Sequence, residues 1–408
     1  MADDQKNQPA MTSSADPVDP PVPVPNVAGA DAGARGLPDR SELTLGQRLI
    51  VDASAAADIG LRTFVATIVG AAMLPPIAAE LLRGSGTAGE RSKMRFYAEL
   101  AAEHDSVKSF PAPAEPPRIY SRPANPVAEW IAHGRVDNIQ FDSSFVPINP
   151  AMQGRWGALQ RNNVVRAQHW RHEDGPHPTL CLIHGFMGSP YLLNGLWMSL
   201  PWFYRSGYDV LLYTLPFHGR RAERCSPFSG YGYFANGLTG FAEAMAQAVH
   251  DFRAIVDYLR FTGVQKIALT GISLGGYTTA LIAAVEDRID AVIPNVPVVS
   301  IDSELEEWFP ASKLFALGRK LGHISLEDFV AASAFHSPLN YKPLVPRDRR
   351  LIITGLGDRL APPEQAEMLW HHWDHCALHW FPGNHILHVS QPEYLRRMTR
   401  FLREFMFD

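Results

Sequence analysis

From Asn138 onward the apolar positions fall into short, dense runs separated by turn-rich segments, and these runs alternate with longer amphipathic ones. "NIQFDSSFVPI", "NNVVRAQHWRH" and "TLCLIHGF" read as three strands bounded by turn residues. The pattern then predicts strands at Tyr208 to Leu215, Lys266 to Thr270, Ala291 to Val296, Leu351 to Thr354 and Leu378 to Phe381. Between and after them it predicts helices at Phe241 to Phe261, Tyr277 to Val285, Pro363 to His371 and Glu393 to Met406. Two antiparallel strands leading into a βαβ series imply a mixed, mainly parallel α/β sheet covered on both faces. Residues 297–346 break the rhythm with helical patterns of their own, such as "ASKLFALGRKLG". The piece is too long for a simple loop and reads as a small helical lid inserted between two strands.

Upstream the pattern differs. Residues 1–40 are acidic and proline-rich, cannot bury enough apolar surface to offset chain entropy, and are expected to be disordered. Residues 41–137 read as a helical extension and linker, with a helical pattern from Ser41 to about His104. "FPAPAEPPRIYSRPANP" (Phe110 to Pro126) reads as the extended linker. The most apolar stretch, Leu61 to Leu82, makes a poor membrane span because Pro75-Pro76 interrupts it and Arg62 and Glu80 flank it. A helix packed on the catalytic domain is the favoured reading, with an interfacial membrane helix as the alternative.

Composition narrows the class. Across 408 residues, 46% hydrophobic and 19% charged content suits an ordinary globular protein. A net charge of −5 without a dense Lys/Arg run argues against a nucleic-acid binder. Three scattered cysteines form neither a disulfide framework nor a zinc pair, and Cys181 reads as a small buried hydrophobe. With no secretory signal legible at the start, a cytoplasmic location is expected, with membrane association as the alternative. No carboxylate or cysteine pattern completes a metal site around the imidazoles of "WHHWDH" (His371, His372, His375), so no metal is expected.

The candidate chemistry begins in "KIALTGISLGGYTTALIAA". A dinucleotide fingerprint fails because its third position is Ser273, and no Lys-Ser or Lys-Thr follows to make a phosphate loop. Gly271, Ser273 and Gly275 instead fit G-x-S-x-G, a tight strand-to-helix turn that lifts a serine on strained backbone and needs small residues on either side. The competing reading is a serine that merely caps a helix. A serine nucleophile requires a base oriented by an acid. Asp358, in "IITGLGD", follows a strand and is the acid candidate, with Asp302 the weaker alternative. His385, in "FPGNHILHV", is the base candidate and His388 its competitor. In "TLCLIHGFMGSP" the backbone amide of Phe186, with that of Leu274, would form an oxyanion hole, while His184 shapes the loop.

With these four elements in order, residues 138–408 resemble the α/β-hydrolase family. The resemblance implies an eight-stranded, mainly parallel sheet, a triad of Ser273, Asp358 and His385, backbone donors at Phe186 and Leu274, and no cofactor. "LPFHGRRAER" departs from the family's usual segment. Its Arg220 and Arg221 either bind an acidic substrate group or anchor the loop through salt bridges, and His184 is a further substrate-binding candidate. "FHGRR" and the helical extension are similar to the subgroup named for α/β-hydrolase domain-containing protein 18. The expected substrate is a small-molecule carboxylic ester. Thioesterase, amidase or peptidase, acyltransferase, and a non-catalytic binding member of the fold remain alternatives. Trp308, Phe309, Leu314 and Phe315 of the lid suggest a pocket for an apolar acyl chain.

Overall fold

The computed structural model describes residues 36–82, 86–188, 190–235, 237–303, 313 and 325–407. Residues 1–35 of the expected tail and most of the lid, with Trp308, Phe309, Leu314 and Phe315, lie outside these residues.

Among the described residues nine strands form one sheet, in the order β1-β2-β3-β5-β4-β6-β7-β8-β9. They are β1 (Tyr120–Pro123), β2 (Arg135–Asp142), β3 (Val164–Arg171), β4 (Thr179–Ile183), β5 (Asp209–Tyr213), β6 (Ile267–Ile272), β7 (Ala291–Asn295), β8 (Leu351–Gly355) and β9 (Ala377–Phe381). Pairing is antiparallel from β1 to β3 and between β3 and β5, and parallel from β5 through β9. The ninth strand is the correction to the expected eight. It is β1, within the segment read as a linker, whose Pro123 pairs with Asp137. Proline lacks a ladder donor and is tolerated at such an edge.

The central strands are fully buried because helices cover both faces. Alternation sorts their side chains: Cys181, Ile183, Leu211 and Tyr213 enter one core, while Leu180, Leu182, Val210 and Leu212 enter the other. Each such apolar side chain contributes roughly 1.5–3 kcal/mol by leaving water.

The helices that matter for the site are α1 (Leu45–Leu82), α2 (Gly86–Ala102), α3 (Tyr191–Trp197), α4 (Gly237–Phe261), α5 (Leu274–Ile282), α6 (Leu326–Ser333), α7 (Pro363–His372) and α8 (Gln391–Met406). Helix α5 is buried all round, as a helix at the centre of a layered fold must be. Helix α8 buries only Tyr394, Leu395, Met398, Phe401, Leu402 and Met406, an i, i+3, i+4 stripe that closes the second core.

The N-terminal helices are not an appendage. Met94, Tyr97 and Ala101 of α2 belong to the first core. There the Tyr97 hydroxyl donates to the buried Glu243 of α4 at 2.5 Å. Helix α1 runs through Pro75-Pro76, which remove two backbone donors from it without ending it. Among the described residues no helix is long and apolar enough to cross a membrane.

Candidate active site

Ser273 stands between β6 and α5 with φ 58° and ψ −116°, a conformation costly for any residue with a side chain. The flanking glycines are required sterically. A Cβ on Gly271 would lie 2.2 Å from the Gly275 carbonyl oxygen, and one on Gly275 would lie 2.1 Å from that of Ile183. The Ser273 amide donates to the Asn295 carbonyl at 3.0 Å, which ties the turn to the end of β7. Ser273 is therefore held at the carboxyl edge of the sheet, and the start of α5 lies directly behind it.

The HGFMG loop passes over this turn. A Cβ on Gly185 would sit 3.4 Å from the Ser273 Cβ and 3.3 Å from the Ile272 carbonyl oxygen, so the loop backbone lies directly against the serine turn. Leu274 is the first residue of α5, and its N–H is among those a helix start leaves without an intrahelical partner. Phe186 follows Gly185, with its ring packed edge-on against Phe228 and Phe234.

Both ring nitrogens of His184 are engaged inside the protein, as the loop-shaping reading of the sequence expects. The side chain is buried, and the Leu215 amide donates to its Nε2 at 3.2 Å. Nδ1 then carries the proton and donates to the Gly185 carbonyl at 2.8 Å. Both nitrogens hold the loop, and burial pushes the imidazole pKa down to about 4.

Asp358 and His385 lie on the loops after β8 and β9 and meet in the interior. His385 Nδ1 donates to Asp358 Oδ2 at 2.7 Å, with both side chains buried. The other carboxylate oxygen, Oδ1, accepts the amides of Leu360 and Ala361 at 2.9 and 2.7 Å. With the proton on Nδ1, the Nε2 of His385 is the basic nitrogen. The competitors are engaged elsewhere. His388 Nε2 donates to the His385 carbonyl at 3.1 Å and its Nδ1 accepts from the Tyr394 hydroxyl at 2.7 Å. Asp302 accepts from Ser300 at 2.7 Å.

Arg221 is fully buried and spends its guanidinium inside the protein. It donates to the carbonyls of Asn162 and Thr214, to the Tyr213 hydroxyl, and to Asp251 of α4 at 2.7 Å. Four of its five N–H donors are spent on these partners and the side chain is fully buried, so Arg221 anchors its loop. Arg220 is exposed. His218 of the same loop is buried beside the Phe186 ring, so this segment backs the HGFMG loop from below.

In the histidine cluster of α7, His371 and His375 bond each other at 3.1 Å and His372 bonds the Tyr341 carbonyl at 2.8 Å. Sequence reasoning missed Asp58 of α1, a buried carboxylate that bonds the amides of both Arg359 and His385. The one hint was an acid within the alanine-rich run "ASAAAD" of that helix.

The nine-stranded sheet, with its strained serine turn and the loops after β8 and β9, has the α/β-hydrolase fold, a serine hydrolase-type architecture. More particularly, residues 241–406 match the profile of the prolyl oligopeptidase family. An uncharacterized protein of Mycobacterium tuberculosis (strain ATCC 25618 / H37Rv) is 31% identical over 258 residues, 60% of this chain. The chain spans 59% of the length of the curated relatives it matches. Among solved structures, the acetyl xylan esterase from Paenibacillus sp. R4 superposes with a TM-score of 0.52 at 14% identity. That match covers 76% of this chain and 94% of the esterase. Acetyl xylan esterase 1 from Thermoanaerobacterium sp. JW/SL YS485 gives a TM-score of 0.51 at 14% identity, covering 76% and 93%. At these identities the structural likeness is one of fold.

Proposed function

We propose that the protein cleaves a carboxylic ester through an acyl-enzyme on Ser273. His385 Nε2 takes the Ser273 hydroxyl proton as Oγ attacks the ester carbonyl. Asp358 holds the imidazole in the required tautomer and stabilises its protonated form. The amides of Phe186 and Leu274 receive the developing oxyanion. His385 then returns the proton to the leaving alcohol, and water activated by the same histidine releases the acid. The observation that carries this reading is the buried 2.7 Å Asp358–His385 pair on the sheet edge where Ser273 is held in strained backbone.

An apolar acyl group is favoured by the residues beside the catalytic ones. Met187, Ile386 and Leu387 all expose apolar side chains, as do Leu192 and Leu193 on α3. Exposed apolar side chains on and next to the loops that carry the catalytic residues are a common mark of a binding surface. A peptidase is the second reading, supported by the profile match over residues 241–406. Parallel assays on p-nitrophenyl esters of graded chain length and on peptide p-nitroanilides separate the two. Ester turnover that Ser273→Ala lowers by about 10⁴-fold or more is the expected result. Full ester turnover in that variant would contradict the mechanism, and turnover of anilides alone would select the peptidase.

A further inference from the structure

The acid and base stand on separate loops, so the 2.7 Å bond between them depends on how those loops are held. Helix α1 presents one stripe to both of them, formed by Val51, Ser54, Asp58 and Arg62 at i, i+3, i+7 and i+11. Asp58 is 1% exposed. Its Oδ2 accepts the amide of Arg359, the residue after the acid, at 3.0 Å, and the amide of His385 itself at 3.0 Å. The other oxygen, Oδ1, is buried without a hydrogen-bond partner among the described residues.

The neighbouring positions repeat the grip. The Ser54 carbonyl accepts from Asn384 Nδ2 at 3.0 Å, and Asn384 in turn accepts the amides of Ile386 and Leu387 through Oδ1. Arg62 donates to the Arg359 carbonyl at 3.2 Å. A Cβ on Gly357 would lie 2.8 Å from the Ser54 Cβ, so the acid loop packs flush against the helix.

We infer that Asp58 is a positioning residue of the catalytic apparatus, one carboxylate oxygen tying the loop of Asp358 to the loop of His385. The inference rests on the hydrolase reading above. Burying a carboxylate is costly unless its bonds compensate. Here those bonds go to the two backbone points whose separation sets the acid–base geometry. Without the acceptor, two buried N–H groups lose their partner and the imidazole is free to shift.

The test uses the full chain with Ser273→Ala, Asp58→Ala and Asp58→Asn, read by ester kinetics, fluorophosphonate labelling rate and thermal melting. Asp58→Ala is expected to lower kcat about 100-fold, as for a displacement near 1 Å, with KM nearly unchanged and labelling of Ser273 slowed in parallel. Asp58→Asn keeps an oxygen that can accept both amides and is expected to restore most of kcat. If Asp58→Ala does not melt cooperatively, Asp58→Ser replaces it; its hydroxyl is too short to span both amides, so the same loss of kcat is expected. Wild-type kcat in the Ala or Ser variant overturns the inference. So does an Asn variant as impaired as Ala, or a raised KM at constant kcat. Ser273→Ala with full turnover would remove the hydrolase reading and this inference with it. Ser273 dependence with wild-type kcat in Asp58→Ala would remove only the inference.

Discussion

Ser273 is held at φ 58° by contacts that leave no room for side chains around it, and that strain is a property of its two glycine neighbours. Gly275→Ala drives a methyl toward the Ile183 carbonyl and is expected to destabilise the protein by about 3 kcal/mol or more, measured by urea denaturation. A wild-type midpoint would contradict the steric reading of the turn. The two histidines of the base loop divide as sharply. His385→Gln is expected to lower ester turnover at least about 10⁴-fold, whereas His388→Gln, which loses only bonds to Tyr394 and the His385 carbonyl, keeps most of it. Equal losses in the two variants would reverse the assignment. Much of this scale was legible in the sequence, since Ser273, Asp358 and His385 each follow an apolar run in a glycine-bearing turn. Which of His385 and His388 meets the acid was not, because that depends on how one short loop bends.

At the scale of elements, the FHGRR segment carries its lesson in one ion pair. Arg221 and Asp251 are both buried, and the arginine also binds carbonyls at the ends of β3 and β5. Arg221→Ala strands the Asp251 carboxylate and is expected to cost about 3–5 kcal/mol of stability while KM stays near wild type. A raised KM with unchanged stability would return Arg221 to the substrate site. The sequence left both roles open because two adjacent arginines look alike until one is turned inward. The strand β1 was hidden for a related reason. Its prolines read as linker, and only pairing to β2 makes "YSRP" part of the sheet. Helix α1 was legible as a helix, but its stripe from Val51 to Arg62 gains meaning only from loops some 300 positions away in the chain.

The whole molecule stores several histidines in neutral form. Burial pushes His184 and His388 down to about 4, and His169 and His336 down to about 3. An unfolded chain protonates histidine near pH 6.5, so between that pH and about 4 the unfolded state binds more protons than the folded one. Stability from these groups is complete above about pH 6.5 and is lost as pH falls toward 4. Asp58 and Glu243, raised by burial, oppose the trend at its acid end. The urea midpoint is therefore expected to fall between pH 7 and pH 4.5, and a flat profile would contradict the burial of these imidazoles. The proposed nucleophile of the whole molecule is one serine, lifted by a strained turn and served by a buried acid–base pair. Intact mass after treatment with a fluorophosphonate tests that assignment most directly. A single phosphonyl adduct on the wild-type chain and none on Ser273→Ala is the expected result; no adduct on the wild type, or an equal adduct on the variant, would contradict it.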